Sequence, residues 1–316
     1  MLFFSGKGGV GKSTVTAAMA LLAAQEGKRV LVVDVDAKGN LTDLFEHPPV
    51  GFKPVEVHPG VFAMTMHTEE SLQEYLRLNL RVPVLGRIGP LARALDFVAT
   101  AAPGVKEILT VGKVCWEVRE SMEGRADWDI VLVDAAATGH IVAQLGAPEA
   151  IRELVSVGPV RSQTEWMSEM LHDPALTALN VVTTPEEMPV NETIELVARV
   201  RSELQVPLGT VIVNRVLPEL FTHADEETFE AMREPVAVER LVDALGGGPD
   251  VARGTTAVLD AARMAVSLRR TRAAHLAELR RAVDLPTLFL PYLFVREQGL
   301  RVTRMIAESL GQELGL

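Results

Sequence analysis

Short apolar runs recur along the chain, and apolar residues between them fall at helical spacing. Leu2–Phe4 is the first run. Val30–Asp36 (VLVVDVD), Val61–Met66 and Ile130–Asp134 (IVLVD) follow, then Leu179–Thr183, Thr210–Val213 and Thr287–Leu290. A strand that is apolar at nearly every position is buried on both faces. Such strands alternating with helices predict an α/β fold: a doubly wound, mostly parallel sheet of seven or eight strands. The spacing predicts a helix from Thr14 to about Glu26, stopped by Gly27. Between the third and fourth strands, about Thr68 to Gly124, no strand-like run occurs. Three helices are expected there, Glu69–Leu80, Gly89–Ala101 and Val105–Glu123, punctuated by Pro83, Gly86, Pro103 and Gly104.

The expected organisation is one domain over 1–316, with an all-helical insertion at about 68–124 and a shorter helical piece at about 158–174. Within the latter, Ser162–Leu171 carries Trp166, Met167 and Met170, read as cover for the core. Two long helices are expected near the end, about Thr255–Val283 and Val302–Glu313. The first carries Arg263, Arg269, Arg270, Arg272, Arg280 and Arg281 interleaved with Asp260 and Glu278, which reads as a solvated face and not a nucleic-acid stripe.

The first strand runs into GKGGVGKST, positions 6–14, which matches the phosphate-binding pattern G-x-x-x-x-G-K-[ST] in full. Gly6, Gly8, Gly9 and Gly11 have no Cβ, so the chain around Val10 can wrap tightly with its N–H groups aimed at phosphate oxygens. Lys12 supplies a point charge for the β- and γ-phosphates, and the Ser13 hydroxyl suits a magnesium ion. The helix that begins near Thr14 offers its positive end to the same anion. Asp34 and Asp36 close the second strand, at the carboxyl end where ligands of an open parallel sheet sit. Asp134, after four apolar residues, is a Walker B-like aspartate whose expected task is to hold magnesium through water.

Net charge is −11 over 316 residues, which disfavours nucleic acid and anionic lipid as partners. One cysteine, Cys115, excludes an intrachain disulfide and a two-cysteine metal clip. With no leader before the first strand and no apolar run of 18 residues, the sequence reads as a soluble cytoplasmic protein with little or no N-terminal extension.

Lys7, a second lysine inside the phosphate loop, makes the chain resemble the deviant Walker A ATPases. These include the arsenite-pump subunits, the tail-anchored-protein targeting ATPases, the partition and Min-type positioning proteins and the nitrogenase iron protein. Thr138-Gly139-His140 matches the second switch of the arsenite-pump and targeting branch, the most discriminating local match. The resemblance implies a P-loop NTPase sheet, ATP as substrate, Mg2+ as cofactor, and a dimer in which Lys7 reaches the partner's nucleotide. It selects Asp36 as the residue that positions the attacking water, with Gly39 and Asn40 continuing the match. It assigns Asn214, beside Arg215, to the adenine amino group, and Pro291, Leu293 and Phe294 to the loop over the adenine ring. His140 is expected either to sense the γ-phosphate or to cap the following helix.

Two prolines usual in the family are absent: Ala37 follows Asp36, and Ala137 precedes Thr138. Without them the switch segments are expected to be softer. Also absent are the several cysteines of the arsenite pumps and the zinc-clipping C-x-x-C of the targeting ATPases, where this chain has GGGPDVARG, 246–254. The nearest likeness is to the actinobacterial subset whose members occur as pairing paralogues. The implied partners are ATP and ADP, a second copy or a paralogous ATPase, and a protein client or membrane partner. Two alternatives stand beside this: a partition- or Min-type positioning ATPase, and a nucleotide-stabilised structural subunit.

Overall fold

The computed structural model describes residues 1–35, 40–80, 104–124, 128–155, 157–219, 222–295 and 299–316. Its strands are β1 (Leu2–Ser5), β2 (Val30–Asp34), β3 (Val55–His58), β4 (Val61–Thr65), β5 (Ile130–Asp134), β6 (Ala178–Thr183), β7 (Leu208–Val216) and β8 (Thr287–Pro291). They form one sheet in the order β3-β4-β2-β5-β1-β6-β7-β8. Every pairing is parallel except that of the edge strand β3 with β4. The helices are α1 (Lys12–Gln25), α2 (Asn40–Asp43), α3 (Thr68–Leu80), α4 (Val105–Met122), α5 (Thr138–Leu154) and α6 (Pro159–His172). They continue with α7 (Glu187–Glu203), α8 (His223–Met232), α9 (Pro235–Ala244), α10 (Pro249–Ala282) and α11 (Leu300–Leu314).

The two-sided burial implied by the apolar runs is what divides the core. Phe3, Leu31, Val33, Val131, Val133, Val181 and Val211 face one side, where α4, α5, α6 and α7 cover them. Their strand neighbours Phe4, Val30, Val32, Leu132, Val182 and Ile212 face the other, under α1 and α11. Successive strand residues alternate between the two faces, so a central strand must be apolar throughout. Small residues set the spacing of the second layer: Ala17, Ala18 and Ala20 of α1 are fully buried. A side chain added at Gly311 of α11 would stand 3.3 Å from Leu22 Cδ1.

β3 is not among the expected strands. Its VEVH alternates apolar and polar over four residues, too short a window to separate from a loop. The expected strand Thr210–Val213 is the middle of the longer β7, with Val211, Ile212 and Val213 buried. α10 begins at Pro249, not Thr255, because Gly248 at φ 97 turns the chain and Pro249 suits the first helical turn. α5, α7, α8 and α9 are not delimited by the sequence pattern; Pro148 lies inside α5, whereas Pro189 sits in the first turn of α7, where proline is tolerated. Met167 and Met170 are buried, in keeping with a role as core cover. Arg269, Arg270 and Arg272 of α10 pair with Glu219, Glu226 and Glu186; Arg270 is solvated as expected, but the Arg272 side chain is only 14% exposed. The expected helix Gly89–Ala101 lies outside the described residues.

Candidate functional site

The loop Gly6–Gly11 joins the carboxyl end of β1 to α1, at the centre of the sheet where ligands of open α/β folds bind. Two glycines are required by the protein itself. A Cβ at Gly6 would lie 2.0 Å from the carbonyl oxygen of Val182 in β6. Gly11, at φ 95, caps α1 in the left-handed region, and a Cβ there would lie 2.4 Å from Asn214 Nδ2. A Cβ at Gly8, by contrast, would meet no protein atom within 4 Å, so that side of the loop is open.

Asn214, near the end of β7, is 5% exposed. Its Nδ2 donates to the Val10 carbonyl at 2.8 Å, and its Oδ1 accepts from the Arg215 N–H at 2.9 Å. Arg215 takes the left-handed φ of 59. The amide expected to read adenine therefore holds the crest of the phosphate loop to β7. Beside it opens a cleft of about 660 Å3 lined by Gly9, Gly11, Lys12, Ser13, Thr14, Asp43, Leu44, Glu46, Arg215 and Gly299. That volume suits a nucleotide. Its far wall is strapped together: Leu300 N–H donates to Glu46 Oε1 at 3.3 Å, and Thr303 Oγ1 donates to the Leu44 carbonyl at 3.1 Å. No motif marks Glu46, which also sits in the left-handed region at φ 55.

Asp134 closes β5, buried, in register with Phe4 of β1 and Asp34 of β2. The segment after it is stitched to β1. Ala135 N–H donates to the Phe4 carbonyl at 3.0 Å, and Ser5 Oγ donates to the Ala136 carbonyl at 2.7 Å. Ala137, at φ −64, holds the angle proline would fix, without proline's covalent lock. α5 starts at Thr138 with no side-chain cap, and His140 is an exposed first-turn residue; the capping role expected of it is not taken up. Ser13 and Asp134 are hard oxygen donors of the kind magnesium takes. Asp36, Ala37 and Gly39 lie outside the described residues, as does the side chain of Asn40.

Lys7 does not stand free. Its ammonium is bound to Glu192 Oε1, and Thr138 Oγ1 donates to Glu192 Oε2 at 2.7 Å. The Lys7 bond, helped by Thr138, holds the Glu192 carboxyl below the usual glutamate range, with partial burial opposing it. Sequence reasoning misses Glu192 because it is one of several acids on α7, and its partners lie far off in the chain.

Pro291 ends β8, and Leu293 packs against the α1 face of the core. Phe294 is 69% exposed, tilted against Tyr292 with ring centroids 4.9 Å apart, and lines a separate apolar cavity with Leu217, Pro218 and Met264. Cys115 of α4 is fully buried, which pushes its thiol up to about 12.

A family model described as anion-transporting ATPase matches residues 1–158 and 156–240. The chain belongs to that family. The matched stretch of this anion-transporting ATPase family member contains the phosphate loop, Asp134–His140, Glu192, Asn214 and Arg215, and stops short of β8 and α11. ATPase BagA of Mycobacterium tuberculosis is 34% identical over 220 residues, covering 68% of this chain and 64% of BagA. The arsenical pump-driving ATPase of Escherichia coli is 28% identical over 274 residues, covering 78% of this chain and 45% of that protein. The chain thus spans less than two thirds of the length of these relatives.

Proposed function

We propose that this chain is an ATP-hydrolysing switch that closes as a dimer, with a second copy or a paralogous ATPase. One observation carries the reading: Lys12 and Ser13 begin α1 at the floor of a nucleotide-sized cleft, behind a loop that packing keeps open. Lys12 neutralises the β- and γ-phosphates, and the open helix end adds its own positive field. Ser13, and Asp134 through water, would hold Mg2+, which would offset charge developing on the phosphate oxygens. Asp36 orients the attacking water, so catalysis is mainly positioning. Asn214 and Arg215 flank the base side, with Pro291, Leu293 and Phe294 proposed as its cover once the nucleotide is in place. Lys7 crosses to the partner's nucleotide.

Thr138 begins α5, and α4 of the helical insertion packs against α5. Movement at the second switch would therefore reach the 68–124 subdomain through one rigid helix, and from there a client or partner. Buried Cys115 is poorly placed to bind a metalloid as thiolate. A Min-type membrane helix is disfavoured, since Ile306, Ala307 and Leu310 of α11 are buried in the core beside α1. Among the described residues no helix is long and apolar enough to cross a membrane. The second reading, a structural subunit that turns over little, draws on Ala37 and Ala137, which leave both switch segments without a proline lock.

Single-turnover hydrolysis of MgATP decides between them. Lys12→Ala is expected to be slower than the unmutated chain by roughly 10²-fold. Equal rates in the two would remove the proposal.

A further inference from the structure

Glu192 is the point where three strand ends meet. Lys7 follows β1, Thr138 follows β5, and Glu192 sits on α7, which follows β6. β1 lies between β5 and β6, so the topology alone brings these loops together. One carboxylate then uses both oxygens, one for the Lys7 ammonium and one for the Thr138 hydroxyl. The Lys7 and Glu192 side chains are 28% and 30% exposed. A pair that exposed is worth little unless a third group fixes its geometry. Thr138 supplies that: a carboxylate held at Oε2 has less freedom to lose when it also binds Lys7 at Oε1.

An ammonium bound to Glu192 of its own subunit is not available to a neighbouring subunit's phosphates. We infer that Glu192 parks Lys7 in cis and thereby sets the ATP concentration at which two subunits close, with Thr138 as the release. This rests on the dimeric reading above. Nucleotide draws the second switch segment away, Thr138 leaves Oε2, the carboxylate loses its orientation, and the weakened pair gives up Lys7. Glu192 touches neither phosphate nor water in this scheme; it is a positioning residue.

The test uses Glu192→Gln, which keeps size and hydrogen bonding but removes the charge, with Thr138→Val as a second variant that leaves the carboxylate in place. In nucleotide-free protein, peptide mass spectrometry after limited acylation reads how accessible the Lys7 amine is, with exposed Lys28 as internal control. Lys7 is expected to react several-fold faster in Glu192→Gln and Lys28 at an unchanged rate, a selectivity that a merely structural change would not produce. Sedimentation against MgATP concentration then gives the closing threshold. Two pairs break per dimer, so the midpoint is expected to fall roughly three- to tenfold in Glu192→Gln, and less in Thr138→Val. An unchanged Lys7 rate, or a midpoint that stays or rises in Glu192→Gln, overturns the inference. If the unmutated chain forms no dimer at any MgATP concentration, either alone or mixed with a paralogous ATPase, the dimeric reading fails and the threshold role with it. The Lys7 rates would still show separately whether the pairing exists.

Discussion

The two lysines of the phosphate loop stand five positions apart and are held in opposite ways. Lys12 belongs to the loop's floor, which is fixed by packing: Gly6 against the Val182 carbonyl, Gly11 against Asn214, and the Asn214 amide on Val10. Lys7 belongs to its shoulder, which is fixed by one exchangeable carboxylate. A close backbone contact has a single arrangement and resists change, whereas a half-exposed ion pair breaks and re-forms at little cost. The same nine residues thus hold a packed binding surface and a charge tied by a single ion pair, the division that the proposed cross-subunit role of Lys7 requires.

That contrast can be broken most severely at Gly6. Gly6→Ala puts a methyl 2.0 Å from a backbone oxygen that cannot step aside. The loop must shift, and MgATP affinity by calorimetry is expected to drop by roughly 10²-fold or more. Asn214→Ala is next. It leaves the Val10 carbonyl and the Arg215 N–H without their buried partner. The loss is about 2 kcal/mol of loop order, or roughly 30-fold in the same titration. Binding unchanged from the parent would show that Asn214 does not hold the floor. The shoulder responds in the other direction: Glu192→Gln has the smallest effect of the three and eases closure.

The floor is legible in the sequence because its requirement is local. GKGGVGKST encodes a left-handed cap, a close approach and a helix start within nine residues. The central strands are legible for a similar reason, since burial on both faces leaves an unbroken apolar run in VLVVD and IVLVD. The shoulder is not. Glu192 lies 185 residues from Lys7 and 54 from Thr138, and only the β5-β1-β6 strand order makes them neighbours. Glu46 is hidden likewise, its carboxylate meeting a helix start 254 residues away. Asn214 is visible, but for another task. Its place at a strand end marks it as functional, while its bond to Val10 emerges only once β7 and the loop are side by side. β3 fails for lack of length, and Pro148 masks a helix that tertiary packing keeps intact.

The central claim is that Lys7 completes a closed pair of subunits without being needed to bind nucleotide. Sedimentation velocity at saturating MgATP, on the unmutated chain and on Lys7→Ala, measures this most directly. The account predicts that the unmutated chain, alone or mixed with a paralogous ATPase, moves from monomer to dimer while Lys7→Ala, still binding MgATP, remains a monomer. Dimers of equal strength in both would contradict it.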